Sequence, residues 1–340
     1  MDPLTQLSVG AAVAVAISPR EHTRWAAILG AVAGAAPDLD VLIRSSEDPL
    51  LSLFYHRHFT HSLIFAPVIG LLIAVLFKLV FYRLHLPFKT SLLYATAGAL
   101  THGPIDACTS YGTLLYWPFS SHRESWDLIS IIDPIFTVPL VLLTLFAVIR
   151  QKFGWSQLAL VLCAAYLGFC GLQRAKAMET AQAIAAKRNH HPEVYSARPS
   201  IANNVLWRTI YKFKGRYYVD AVWVLPGQQP VVYKGNSVKV FSTEDAEDLV
   251  TPDSILGSDI ERFRYFSQGY LYQNPQEEDV LGDLRYAMFP DSIMPLWGIR
   301  IDPKETDEHI EMEYFREVNE GSFDRLWRMI RGQKVKPLRE

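Results

Sequence analysis

The stretch that decides the fold is His56–Tyr82, HRHFTHSLIFAPVIGLLIAVLFKLVFY. Its second part, Ser62–Tyr82, is about twenty residues of apolar character interrupted only by Pro67 and Lys78, the length a helix needs to cross hydrocarbon. Lys78 falls near the end, where its long stem reaches the headgroups. The first part sets His56, His58 and His61 beside Arg57 at the edge of that span. Ionisable groups are expensive to place there and point to function before packing.

Outward from this stretch, further apolar segments follow. Ser91–Ile105 is shorter and rich in Ala and Gly, which suits close helix packing. Ile129–Ile149 and Trp155–Leu172 read as two more spans. Leu4–Ile17 and Trp25–Ala36 look too short to cross and read as re-entrant, interfacial or half-span helices. Asp2 and the short stretch Val9–Ile17 make the N-terminus unlike a signal peptide. Of 33 basic and 35 acidic residues, 22 charged residues lie in 1–176 and 46 in 177–340. The expected architecture is a polytopic α-helical membrane domain (1–176), a polar linker (177–199) that begins as a helix at Met178–Lys187, and a small soluble α+β, mostly antiparallel domain (200–340). Alternation predicts strands at Arg216–Leu225, Val231–Phe241, Phe263–Tyr272, Leu284–Phe289, Gly298–Ile301 and Ile310–Phe315, and a helix at Phe323–Ile330. A net charge of −2 gives no reason to expect a nucleic-acid partner. Cys108, Cys163 and Cys170 sit in or near apolar runs, so no disulfide framework is expected.

Three short blocks carry ligand-type residues: Pro37-Asp38-Leu39-Asp40, the histidine block, and His102-Gly103-Pro104-Ile105-Asp106. His102 and Asp106 are four apart and share a face if the helix runs through Pro104. Three histidines within six residues are uncommon by chance, and neutral imidazole suits zinc, iron or manganese. Asp38 and Asp40 alone would read as a solvated turn. Asp133 before Pro134 reads equally as a helix cap or as a partner orienting a ligand. Arg57 and Arg123 could hold an anion such as phosphate, or simply sit at a headgroup boundary. Counting spans brings the three blocks and Asp133 to one membrane face, with Arg83, Lys89, Arg150 and Lys152 at the other. The positive-inside rule would make that second face cytoplasmic, while Arg174, Lys176, Lys187 and Arg188 argue the opposite.

At these blocks the chain resembles membrane-bound hydrolases of the YdjM type, inner-membrane proteins expected to depend on a metal. The resemblance is carried by Asp2-Pro3-Leu4-Thr5, Pro37–Asp40, His56–Ser62 and His102–Asp106, with Tyr111-Gly112 and Trp117-Pro118 after them. It covers about residues 1–176 and departs at Gln6, where many members carry His. It implies a metal site in a multi-pass bacterial inner-membrane protein.

The expected function is an integral-membrane hydrolase. Asp38, Asp40, His56, His61, His102 and Asp106 would hold one or two divalent ions, zinc first and manganese or iron next. Metal-bound water would attack a phosphoester or other ester of a lipid or lipid-linked substrate. Asp38, Arg57 and Asp133 would be the catalytic side chains, Asp38 as general base. Two rivals stand beside it: a transporter handling metal or protons, and a membrane anchor with a structural metal and a partner-binding soluble domain.

Overall fold

The computed structural model describes residues 1–315 and 321–338. The chain divides into two compact units, Met1–Ile43 with Tyr55–Cys170, and Arg44–Phe54 with Gly171–Glu340. The division falls at Cys170 rather than at 176, and the segment 44–54 goes with the second unit.

The first unit is helical: α1 (Pro3–Ala16), α2 (Thr23–Ala35), α4 (Ala66–Val80), α5 (Phe88–Ala107), α6 (Pro134–Arg150) and the start of α7 (Gly154–Lys187), with the short α3 (Leu51–Tyr55) at its margin. Asp2 caps α1, its Oδ1 accepting from the Thr5 N–H at 3.0 Å. A 3₁₀ stretch, Ala36–Leu42, prolongs α2. Among the described residues, two helical stretches are long and apolar enough to cross a membrane, Arg20–Leu42 and Gly154–Lys187. The first corrects the expectation that Trp25–Ala36 is too short, because helical turns continue at both of its ends. The expected span from Ser62 begins as a helix only at Ala66, with Pro67 in its first turn. Leu51–His61 and Ala66–Val80 together would make a third span, bent by 84°. At 15 and 17 residues, α4 and α6 reach only about 22 and 26 Å.

Small residues let these helices touch. A Cβ on Gly34 of α2 would lie 2.9 Å from the Gln6 carbonyl and 3.0 Å from the Gly10 Cα, both on α1. That closeness fixes α2 against α1 where the functional residues begin. Around it pack Ala14, Ala26, Leu29, Ala33, Tyr94 and Ala99.

In the second unit α7 runs on without a break to Lys187, so the helix expected at Met178–Lys187 is present and is the end of a longer one. Its buried Ala177, Ala181, Ile184 and Ala185 form one helical stripe, and alanine favours the helix. Two antiparallel four-stranded sheets follow. The first runs β1 (Val194–Pro199), β2 (Leu206–Phe213), β3 (Arg216–Trp223) and β4 (Val231–Lys239) in sequence order. The second runs β5 (Leu271–Gln273), β6 (Val280–Asp283), β7 (Trp297–Arg300) and β8 (Glu311–Tyr314). Ile210, Val219, Val238, Tyr272 and Leu284 share one core. The helices are α8 (Thr243–Leu249), α9 (Ile255–Phe266) and α10 (Ser322–Ile330).

The stretch Phe263–Tyr272, expected as one strand, is the last turn of α9 (to Phe266), a turn, and the start of β5 at Leu271. Leu256, Ile260 and Phe263 of α9 are buried at helical spacing, and Ser254 caps it by accepting from the Gly257 N–H at 3.0 Å. The strand expected at Leu284–Phe289 lies earlier, at β6, and gives way there to a turn closed by Asp283, which accepts from the Arg285 N–H.

Candidate metal centre

Four side chains meet where the helices of the first unit begin and end. Asp38 follows α2, His61 precedes α4, and His102 and Asp106 occupy the last turns of α5. One ligand atom from each lies within 4.8 Å of all the others. The α5 helix does continue through Pro104, so His102 and Asp106 share its inner face. Gly103 between them makes the meeting possible: a Cβ there would run into the His61 carbonyl oxygen and lie 2.9 Å from Leu115.

The geometry fits a small divalent ion. His61 Nε2 stands 3.4 Å from Asp38 Oδ1 and 3.2 Å from Asp106 Oδ2. His102 Nε2 stands 3.4 and 3.6 Å from the same two oxygens. Ligands about 2.0–2.1 Å from a tetrahedral zinc are separated by about 3.3–3.4 Å. Four edges of the group therefore have the length such a shell requires. The two imidazole planes cross at 78° with ring centroids 4.3 Å apart, so neither ring stacks on the other. His61 Nε2 and His102 Nε2 are buried without hydrogen-bond partners among the described residues, and Asp106 Oδ2 is buried beside the Arg57 guanidinium. Such orphans are costly unless something coordinates them.

A second layer orients these groups. Asp40 Oδ2 lies 3.2 Å from His61 Nδ1 and accepts from the Arg57 N–H at 2.9 Å and the Thr60 hydroxyl at 3.1 Å. Its other oxygen pairs with His56 Nδ1 at 2.9 Å. The Gly34 carbonyl, 2.6 Å away, engages His102 Nδ1. Both imidazoles thus turn Nε2 inward, the arrangement that outer partners impose on ligand histidines. Arg57 Nε sits 3.1 Å from Asp106 Oδ2, while its Nη1 donates to Thr109 Oγ1 at 2.8 Å. Gln6 Nε2 donates to Asp106 Oδ1 at 2.9 Å, and the Met1 amino nitrogen touches the same oxygen. Carboxylates still outnumber the cations around the group.

Of the six residues expected to ligate, Asp38, His61, His102 and Asp106 come together, and Asp40 and His56 stand one step behind. Of the expected catalytic side chains, Asp38 is the member of the group open to solvent, with 25% of its side chain exposed against 1% or less for the other three. Arg57 is buried against Asp106 and adopts a left-handed φ of 62°. Asp133 caps α6, accepting from the Ile135 and Phe136 N–H groups at 3.1 and 3.2 Å and from the Tyr166 hydroxyl at 3.0 Å. Arg123 donates to the His56 carbonyl at 2.8 Å and helps fix the histidine block. His58 accepts from the Phe59 N–H at 2.8 Å and lies outside the group. Sequence reasoning missed the Gly34 carbonyl and the role of Gly103, because backbone groups leave no residue-type signal.

A family model described as YdjM inner membrane protein matches residues 1–177. No curated protein and no solved structure matches the chain.

Proposed function

This chain belongs to the YdjM inner membrane protein family, and from that premise we propose that it is a multi-pass, metal-dependent hydrolase. The observation that carries the proposal is the pair of buried, unpartnered imidazole atoms His61 Nε2 and His102 Nε2, which meet the buried Asp106 Oδ2 at the spacing of one divalent ion with Asp38 beside them. Two imidazoles and a carboxylate are a donor set that catalytic zinc uses, with water in the remaining position. A divalent ion bound there lowers the pKa of a water and polarises a phosphoryl or acyl oxygen.

The protein's own groups have defined tasks in this reading. Asp40 and the Gly34 carbonyl hold the proton on Nδ1 of His61 and His102, leaving each Nε2 as a lone-pair donor. Arg57 and Gln6 keep Asp106 charged and fixed. Asp38, at the solvent side, takes the proton of the attacking water on Oδ2, the oxygen not turned to the imidazoles. A membrane setting suits a lipid or lipid-linked substrate, and a phosphoester is the first choice.

A second reading has a specific observation behind it. If Asp38 ligates through Oδ1, four protein ligands close the shell, as in structural sites. Elemental analysis of detergent-purified protein beside His61→Ala and His102→Ala tests the site. Near-stoichiometric metal, lost in both folded variants, supports it; a wild type without metal after reconstitution with zinc, manganese or iron sinks it. Hydrolysis of phospholipid or polyprenyl-phosphate by wild type but not by metal-loaded Asp38→Asn separates catalyst from structural ion.

A further inference from the structure

The segment 44–54 lies in sequence between the ligand blocks, after Asp40 and before His56, yet it packs with residues 171–340. Two contacts fasten it. The Asp48 carboxylate accepts both arms of the Arg262 guanidinium on α9, Nη1 to Oδ1 at 3.1 Å and Nη2 to Oδ2 at 2.9 Å. This is a two-pronged, charge-assisted pair with defined direction. Phe54 packs against the Tyr265 ring at 6.2 Å and lies under the Arg262 guanidinium at 6.0 Å. Leu50 between them is buried.

Arg262 is itself braced. Its Nη1 also donates to Asp259 Oδ1 at 2.8 Å, and Asp259 is fully buried. Asp259 Oδ2 accepts from His309 Nδ1 at 2.8 Å and from the Ile310 N–H at 3.2 Å. Asp48, Asp259 and His309 have the spacing of a cation site. The guanidinium already supplies the positive charge between the two carboxylates, so the cluster is a clamp built around Arg262.

We propose that Arg262, acting through Asp48, is a positioning residue for the metal centre: the C-terminal unit fixes the path of the chain that delivers Asp38 and Asp40 from one end and His56 and His61 from the other. The inference rests on the metal-site reading above. Its physical basis is preorganisation. A loose connector between two ligand blocks must be ordered each time the shell assembles, and that entropy is charged to metal affinity. The effect is bounded, because Asp40 already meets His56, Thr60 and His61 directly. Loss of outer supports costs about 10–100-fold in metal affinity, and the clamp belongs at the lower end of that range.

The test uses the full chain in detergent or nanodiscs. Zinc affinity is read by chelator competition, and the ligand field by the visible spectrum of the cobalt(II)-loaded protein. Arg262→Ala and Asp48→Asn should each weaken zinc about tenfold and alter the cobalt bands. Arg262→Lys, which keeps the charge and loses the fork, should fall between them and wild type. The double variant should be no weaker than either single one, since both remove the same contact. Asp48→Asn changes one partly exposed group, so it stays informative if Arg262→Ala does not fold. Wild-type affinity and cobalt spectrum in Asp48→Asn would overturn the clamp while leaving the metal centre standing. A wild type that binds neither zinc nor cobalt would overturn both.

Discussion

Removing Asp40 is the sharpest probe of the reasoning, because this carboxylate faces the histidine block without belonging to the four-residue group. Its Oδ2 meets His61 Nδ1 at 3.2 Å, the Arg57 N–H at 2.9 Å and the Thr60 hydroxyl at 3.1 Å, and its Oδ1 meets His56 Nδ1 at 2.9 Å. Asp40→Asn keeps the shape. An amide can turn its oxygen to the three donors and its NH₂ to His56, which accepts by changing tautomer. Only the negative charge behind His61 is then lost, and zinc affinity should fall about tenfold, or about 1.4 kcal/mol. Asp40→Ala takes the carboxylate from behind His61, leaving Nδ1 only the Thr60 hydroxyl at 3.0 Å, and leaves the Arg57 N–H without its partner. Affinity should then fall about a hundredfold, near 2.7 kcal/mol. Chelator competition on the detergent-purified chain resolves both steps. Affinity within threefold of wild type in folded Asp40→Ala would refute the idea that Asp40 orients His61.

Gly103→Val should damage both fold and site, because Gly103 is buried. The new side chain meets the His61 carbonyl, so α5 and the histidine block must part, at about 1–3 kcal/mol in thermal stability and with metal binding lost. Asp133→Ala should cost about 1 kcal/mol by uncapping α6 and leave zinc affinity unchanged; a fall in affinity would return Asp133 to the site. The Asp48–Arg262 clamp should persist from neutral pH down into the acid range. Burial raises the Asp48 pKa, but the hydrogen bonds from Arg262 outweigh it and hold the carboxyl below its usual 3.8. A depressed folded value gives stability that is present above 3.8 and lost as pH falls through the lower value. Exchange protection of residues 44–54, corrected for intrinsic rate, should therefore match at pH 7 and pH 5; loss of protection over that interval would contradict the assignment.

The residues of the four-membered group were legible because imidazole and carboxylate beside apolar runs are chemically conspicuous. The division between an inner group and an outer layer was not, since Asp38 and Asp40 differ only in which way a 3₁₀ turn points them. The first-unit helices showed through their apolar composition, whereas the reach of the second helical stretch depended on turns at both ends of Trp25–Ala36. In the C-terminal part, aromatic content at 263–272 mimicked a strand, although Leu256, Ile260 and Phe263 already carried a helical spacing. β1 and β2 were hidden because β1 begins inside a polar stretch whose burial only the folded sheet reveals. His190, read as linker, stacks on Phe213 with ring centroids 4.6 Å apart, a contact that no local pattern announces.

The unbroken α7 bears on how this chain can be cut or spliced. The family match ends at Ala177, in the middle of a 34-residue helix. A truncation there would leave a raw helix end with unsatisfied carbonyls and would also deprive residues 44–54 of every partner they have in 171–340. A junction in this helix is also phase-sensitive. One residue inserted within the Ala177–Ile184 stripe turns its later part by about 100° against its earlier part, so the two no longer share a buried face. Recombination between relatives should therefore succeed in steps of whole turns within α7 or beyond Lys187, and fail where the sequence boundary invites the cut.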